Sequence, residues 1–369
     1  MSTSEKADLL GQIGELAAPH LNAPVSQLEV TKLTGDASTR AYFRVRSSNS
    51  SLIVALYKEP FDDAESASSR LARFEALDPS ARLTFASDPC AHVEVTELLL
   101  ESGLLAPRML GVSGRNGALL FEDVGDVRLQ DWLDGRAPAE VLEAYRNAIR
   151  MIVRIQEATP GLASRESICS CLAFDEMKLK WELGFFFANY FNRYLGMKLE
   201  ADTNQAVQHE FKALCSELSS RPRVLVHRDY HARNLMMHGG KMFIIDHQDA
   251  RMGPASYDLA SLLRDPYTAL DRDIARELIE YFISLKADSP VTIRDVAEFR
   301  TEVELMTVQR MLKAIGTYSY QAAVAGNAAY VGYIEPAITA ALDSLGAVGC
   351  FVRIRVLLEE TRGLKGHIA

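Results

Sequence analysis

The stretch Val224 to Asp258, VLVHRDYHARNLMMHGGKMFIIDHQDARMGPASYD, decides the fold and most of the chemistry. It opens on the apolar, β-favouring run Val224-Leu225-Val226 and passes straight into His227-Arg228-Asp229, so a buried strand delivers a carboxylate to a loop. Asn234 stands five positions after Asp229. Next comes a hairpin pattern: Leu235-Met236-Met237, a His-Gly-Gly turn at 238–240, then Met242-Phe243-Ile244-Ile245 running into Asp246. A hairpin folds its second strand back on its first, and is expected to return Asp246 to the neighbourhood of Asn234. One carboxylate and one amide make an oxygen-only pair that suits a hard cation such as Mg2+.

The spacing from Asp229 to Asn234 is that of an H-R-D-x-x-x-x-N phosphotransfer loop, in which the Asp orients and deprotonates the attacking hydroxyl and the Asn holds magnesium. The tripeptide alone is a weak signal. Strand, Asp, Asn at this offset, hairpin and strand-ended Asp are five linked conditions. The bland alternative has both acids capping turns and Asn234 making a local bond; it leaves unexplained why each acid ends an apolar strand. Asp229 is therefore the candidate catalytic residue, Asn234 and Asp246 the candidate metal ligands, and ATP with Mg2+ the expected cofactors.

Composition narrows the class. A chain of 369 residues with 48% hydrophobic content has material for about two domains or one large two-lobed unit. Its 40 basic and 49 acidic residues, net charge −9, disfavour nucleic acid as main partner. Five scattered cysteines without a CxxC pair read as reduced thiols. No basic leader precedes an apolar core and no apolar run approaches membrane length, so a cytoplasmic protein without a membrane contact is expected. No obligate protein partner is evident.

In chain order, Leu9, Leu10, Ile13, Leu16 and Ala17 predict a leading helix over 5–18 that ends before Pro19. Gln27–Leu33, Ala41–Arg46 and Ser51–Tyr57 read as three antiparallel strands. In a kinase the turn between the first two covers the phosphates with a glycine-rich backbone. Here it holds one glycine, and Ser38 with Arg40 are the candidates for phosphate contact. The third strand normally brings a lysine, as in V-A-I-K. This chain has Val54-Ala55-Leu56-Tyr57, with Lys58 one place late and therefore on the opposite face. A helix over about 91–102 carries Glu94 and Glu97, either of which is a possible ion-pair partner for such a lysine. Two more strands, 108–112 and 118–121, lead to Glu122-Asp123-Val124-Gly125-Asp126. There a two-lobed kinase crosses between lobes and meets the adenine edge, making Glu122 and Val124 cofactor-binding candidates. The expected division is 1–122 for a nucleotide-binding lobe and 123–369 for a catalytic and substrate-binding lobe.

Beyond the crossing the chain turns helical. Val141, Leu142, Tyr145, Ile149, Ile152 and Val153 form a 3.6-residue stripe, and a long aromatic helix is predicted over about 174–195. On the latter, Glu182 and Asn189 are seven residues apart, on one face, and are candidates for a substrate cleft. Asp258 sits near a helix start, where bonding loop N–H groups is its expected role. Leu305, Val308, Leu312 and Ile315 make a further apolar stripe, with Gln309, Arg310 and Lys313 on other faces.

Together LTGDASTRAYFRV, EDVGD, DEMKLKWELGFF, VHRDYHARNLM, IIDHQDARMGPASYDLASLLRDPY and VQRMLKAIGTY resemble the aminoglycoside phosphotransferase and choline kinase superfamily. Within it they are most similar to the bacterial N-acetylmuramate/N-acetylglucosamine anomeric kinases of cell-wall recycling. The resemblance spans about 30 to 320. It implies an α+β, protein-kinase-like fold with a small antiparallel sheet lobe and a larger helical lobe. It also implies Asp229 as base, Asn234 and Asp246 on Mg2+, the 34–40 turn over ATP, and an amino sugar as small-molecule substrate. The displaced lysine departs from the pattern, with Arg40 or Lys58 as substitutes. Among substrate candidates, Arg310 suits a lactyl carboxylate through a bidentate pair. The alternatives are a phosphotransferase for an aminoglycoside or other small alcohol or amine, and a nucleotide-binding pseudokinase with a regulatory role.

Overall fold

The computed structural model describes residues 3–33, 40–83, 88–162, 164–268 and 270–368. The chain divides into two compact units: 1–127 with 166–168 and 236–249, and 128–165 with 169–235 and 250–369. The expected lobes, 1–122 and 123–369, are continuous in sequence, whereas these units interleave. The hairpin bearing Asp246 groups with the first unit, and Asp229 and Asn234 belong to the second.

The first unit is built on a sheet of β1 (Glu29–Lys32), β2 (Ala41–Arg46), β3 (Ser51–Leu56), β4 (Met109–Ser113) and β5 (Ala118–Glu122), ordered β1-β2-β3-β5-β4 with every pairing antiparallel. Alternation along the strands gives two apolar faces. Phe43, Val45, Leu52, Val54 and Leu120 pack with Ile13, Ala17 and Leu21 of the helix Thr3–Leu21. That helix passes through Pro19 rather than ending before it. The proline falls in the last turn, where it forgoes one backbone bond to the preceding turn, and continuing buries Leu21. The opposite face carries Tyr42, Ile53, Ala55, Tyr57, Leu119 and Phe121, with Val93 from the helix Pro89–Glu101. Asp88 caps that helix by accepting from the Cys90 N–H, with Pro89 at the first position.

The second unit is mostly helical. Its apolar core joins Leu183 and Phe186 of the helix Glu176–Phe187, Phe211 of Ala201–Ser219, Tyr257 of Tyr257–Leu263, and Val308, Leu312 and Ile315 of the 28-residue helix Val296–Ala323. Glycine at 316 lets two of these helices touch: a Cβ there would come within 2.6 Å of the Phe186 Cα. The aromatic helix does not run on as regular α-helix to 195; from Ala188 to Tyr194 it widens into a π-helix. A short antiparallel pair, β6 (Arg223–Val226) with β9 (Arg251–Pro254), leads into the Asp229 loop. Between them in sequence, β7 (Leu235–His238) and β8 (Lys241–Ile244) form the expected hairpin. Gly239 and Gly240 both take positive φ, as a tight two-residue turn requires. Among the described residues no helix is long and apolar enough to cross a membrane, and no disulfide joins the cysteines.

Candidate active site

Within the first unit, Asp246 follows β8 and adopts φ 61°, a left-handed conformation that costs a non-glycine residue on the order of 1–3 kcal/mol. Its Oδ1 accepts from Arg40 at 3.0 Å and from the Gln248 amide at 2.9 Å, and its side chain is 40% exposed. Arg40 is held differently, with only 5% of its side chain exposed. Its guanidinium lies 5.8 Å from the ring centres of both Tyr42 and Tyr57. Ser38, the other phosphate candidate of that turn, lies outside the described residues.

The face of β3 that a lysine would normally occupy carries Ala55 and then Tyr57. The Tyr57 hydroxyl shares a 3.0 Å hydrogen bond with His92 Nδ1 on the helix Pro89–Glu101. His92 packs edge-on against His247 at 5.0 Å, and His247 Nε2 bonds the Thr96 hydroxyl at 2.7 Å. Burial, then the neighbouring His247 and Arg40, hold His92 neutral well below the usual histidine range. Lys58 is exposed, and it lines a cavity of about 720 Å³ with Glu59, Asp62, Glu65, Arg73 and Asp88. Neither glutamate proposed as its partner meets it. Glu94 takes Arg70 at 3.0 Å together with the Ser167 hydroxyl and Ile168 N–H, and Glu97 is exposed.

The crossing segment is fastened by a buried arginine that the sequence reading passed over. Arg44 binds Asp123 at 2.7 Å and Asp126 at 2.6 Å, while Asp123 also accepts from the Ser51 hydroxyl and the Gly125 N–H. The Glu122 N–H is spent on the Arg108 carbonyl, and its carboxylate pairs with Arg108 at 3.1 Å. Val124 is buried beside Met236, Phe243 and Ile245. Their side chains thus do structural duty.

In the second unit, Arg228 also has positive φ, 87°. This bend is supported from beneath by Asp258, fully buried, whose two oxygens accept from the His227 N–H at 2.6 Å and the Arg228 N–H at 3.0 Å. Asp265 does the same for the next turn, taking the Ala232 and Tyr267 N–H groups, and burial pushes its carboxyl up to about 6. Asp258 thus serves as a loop anchor. Asn234 donates its amide to the Asp229 carbonyl at 2.9 Å, which fixes the amide's other end as an oxygen acceptor.

Around the Asp229 carboxylate stand three cations. Lys313 Nζ donates to Oδ1 at 2.8 Å, Arg310 lies 3.9 Å from the same oxygen, and Arg228 lies 3.8 Å from Oδ2. Burial alone would raise this carboxyl, but Lys313, Arg228 and Arg310 outweigh it and hold Asp229 well below the usual carboxylate range. Arg310 also donates to the Arg228 carbonyl at 2.5 Å and lies 4.7 Å above the Tyr257 ring. It braces the bend, so the bidentate fork proposed for a substrate carboxylate is already engaged. Gln309, Arg310 and Lys313 point inward, not to solvent-facing sides of their helix.

Glu182 is 1% exposed, paired with Lys178 at 3.4 Å and bonded by the Gln309 amide at 2.9 Å. Asn189 is equally buried, donating to the Phe185 carbonyl and accepting from Arg193. Both cleft candidates therefore have internal partners. Among the described residues no three His, Cys, Asp or Glu side chains cluster as a preformed metal cage. Asp246 in the first unit and Asn234 in the second each offer the hard oxygen donor that Mg2+ takes, an ion that keeps waters and phosphate oxygens among its ligands and is not bound by all-protein cages.

The chain is 28% identical over 323 residues, 85% of each sequence, to a protein of Pseudomonas aeruginosa named N-acetylmuramate/N-acetylglucosamine kinase. A protein of the same name from Neisseria meningitidis is also 28% identical, over 80% of this chain and 79% of its own. Among solved structures, choline kinase LicA from Streptococcus pneumoniae superposes with TM-score 0.57 at 13% identity, covering 93% of this chain and all of that one. ADP-bound aminoglycoside phosphotransferase APH(2'')-Ib does so at 0.53 and 13%, covering 84% and 90%. These two likenesses concern the fold. The Phosphotransferase enzyme family (APH) matches residues 29–290, and the chain belongs to that family, an ATP-using kinase of small molecules.

Proposed function

We propose that the protein transfers the γ-phosphoryl group of Mg-ATP to the anomeric hydroxyl of N-acetylmuramate or N-acetylglucosamine in the cytoplasm. Asp229 orients the hydroxyl and accepts its proton, and Asn234 and Asp246 supply the metal's protein oxygens. Bound magnesium would neutralise charge on the phosphates. The rest of catalysis is positioning, because the loose transition state asks little covalent chemistry of the protein. Ser38, Arg40 and Lys58 remain candidates toward the phosphates, and the 122–124 backbone toward the adenine.

The observation that carries the acceptor reading is the cation set at Asp229. An aminoglycoside brings several positive charges and needs carboxylates to receive them. Here Lys313, Arg310 and Arg228 surround the acid, and the nearby Glu182 is already paired with Lys178. A neutral or carboxylate-bearing sugar meets no such repulsion, and the relatives' names point the same way. Lys313, with 18% of its side chain exposed against 7% for Arg310, is the better placed of the two to meet a lactyl carboxylate. The test is ATP turnover over a panel of amino sugars, aminoglycosides and amino alcohols, with phosphorus NMR of the product and assay of the reducing end. Loss of the reducing end with an N-acetylated sugar is expected. Phosphate on another hydroxyl, or turnover with aminoglycosides alone, selects the broader phosphotransferase. ATP binding without turnover of any acceptor selects the pseudokinase.

A further inference from the structure

We propose that Arg40 performs the phosphate-neutralising task of the absent strand lysine, and that Tyr57, at the lysine's own position, holds Arg40 in place without itself binding nucleotide. The inference rests on the kinase reading and extends its nucleotide side. In V-A-I-K the lysine lies two residues after the alanine, on the same strand face, and pairs with a glutamate of the following helix. Here that face carries Ala55 and Tyr57, and the strand-to-helix link is the neutral Tyr57–His92 hydrogen bond of 3.0 Å. Of the two glutamates that could pair with such a lysine, Glu94 is engaged by Arg70 and Glu97 is exposed, as described above. The fold has thus kept the brace between strand and helix and removed its charge.

The charge reappears on Arg40. Its guanidinium lies against two tyrosine faces and reaches Asp246 at 3.0 Å. A fork-shaped cation whose whole side chain is only 5% exposed is held in a fixed orientation for charge-assisted phosphate binding. Lys58 lacks this setting. It is exposed and shares its cavity with Glu59 and Asp62 and with Glu65 and Asp88, which Arg73 pairs, so carboxylates outnumber cations there, surroundings that disfavour a polyphosphate. The Arg40–Asp246 pair keeps the cation aimed at the residue proposed to carry the metal, where a nucleotide's phosphates would also gather.

Calorimetric titration with ATP, ADP and adenosine, each with magnesium and with EDTA, tests the assignment on Arg40→Met, Tyr57→Phe and the double variant Arg40→Met/Tyr57→Lys. Arg40→Met should weaken ATP and ADP by about 10- to 100-fold, as expected for a lost charge-assisted contact, and leave adenosine unchanged. Tyr57→Phe should weaken ATP only severalfold. The double variant, which restores a lysine at the usual position, should regain at least about tenfold over Arg40→Met. Wild-type ATP affinity in Arg40→Met, an equal loss for adenosine, or no gain in the double variant overturns the proposal. Should Arg40→Met not fold, Arg40→Lys decides: a severalfold loss confined to ATP and ADP supports the assignment, and unchanged or uniformly reduced binding of all three ligands overturns it. Failure of the wild-type protein to bind ATP at all would instead sink the kinase reading itself.

Discussion

The two candidate acids are held in opposite ways. Asp229, in the helical unit, has Lys313, Arg310 and Arg228 within 4 Å and a quarter of its side chain exposed. Asp246, in the sheet unit, is 40% exposed, with Arg40 and the neutral Gln248 on one oxygen. The contrast matches the two jobs proposed for them. A base must be ionised and aimed before the substrate arrives, so a surplus of fixed cations around it is useful. A metal ligand must exchange its partner for a cation, so it is better matched with a lighter hold.

Removing the caged acid should have the largest effect. Asp229→Asn is expected to lower kcat by about 10²–10⁴, the range for a positioned general base, with ATP affinity nearly unchanged by titration. Wild-type turnover would end its assignment.

For Asp246 the contrast makes a two-signed prediction. Asp246→Ala should eliminate the magnesium-dependent part of ATP binding, since the neutral Asn234 cannot replace a carboxylate. In EDTA the same variant should bind ATP more tightly than wild type, because Arg40 no longer shares its charge with Asp246 and a repelling carboxylate is gone. Equal affinities in EDTA would mean the Arg40–Asp246 pair does not compete with phosphate.

Lys313→Met probes the cage itself. Losing a charge-assisted bond at 2.8 Å should reduce kcat/KM by about 10- to 100-fold. The pH profile separates this from a packing defect. Asp229 is held below its ordinary range chiefly by Lys313 acting against burial, so without Lys313 its carboxyl rises and the acid limb of kcat/KM moves to higher pH. Lys313→Arg should keep that limb low. An unmoved limb in Lys313→Met would reduce Lys313 to a packing residue.

Much of this was legible from residue order, and the failures share a cause. The strands and the hairpin announce themselves because period-two apolar runs and Gly-Gly turns are local patterns, and Asp229, Asn234 and Asp246 stand out as candidates because they end or follow those runs. The missing lysine was equally visible. Arg40 and Lys58 both stood as its substitutes; what separates the two is not local, since Tyr57 and His92 are 35 residues apart and Arg40 lies 206 from Asp246. Lys313, 84 residues from Asp229, read as one charge among several on its helix for the same reason. Glu182 and Asn189 misled in another way. Polar residues on an otherwise aromatic helix look like cleft lining, yet here Lys178, Gln309 and Arg193 satisfy them internally. Pro19 was read as a stop because its local cost is visible, while the burial of Leu21 that outweighs it is tertiary.

The helical unit also contains the mismatch that shows what matched charges are worth. Lys286, at the end of the helix Arg272–Lys286, is 1% exposed, and among the described residues its Nζ has no hydrogen-bond partner. Burial pulls its pKa from 10.5 to about 8, with Glu157 pulling weakly the other way. A lysine whose folded pKa lies below its unfolded value disfavours the fold whenever it is protonated. The penalty is complete below about pH 8 and fades as pH rises toward 10.5, where both states lose the proton. At neutral pH the shift corresponds to roughly 3 kcal/mol, reduced in practice by the helix C-terminus, which favours a cation. Lys286→Met, similar in volume, should therefore stabilise the helical unit by about 1–2 kcal/mol at pH 7, a rise of about 2–8 °C in its unfolding transition. The gain should shrink between pH 8 and 10, and turnover should be unaffected. A constant gain across that range would show that packing alone is responsible, and a loss of stability would mean that the ammonium is well accommodated where it lies.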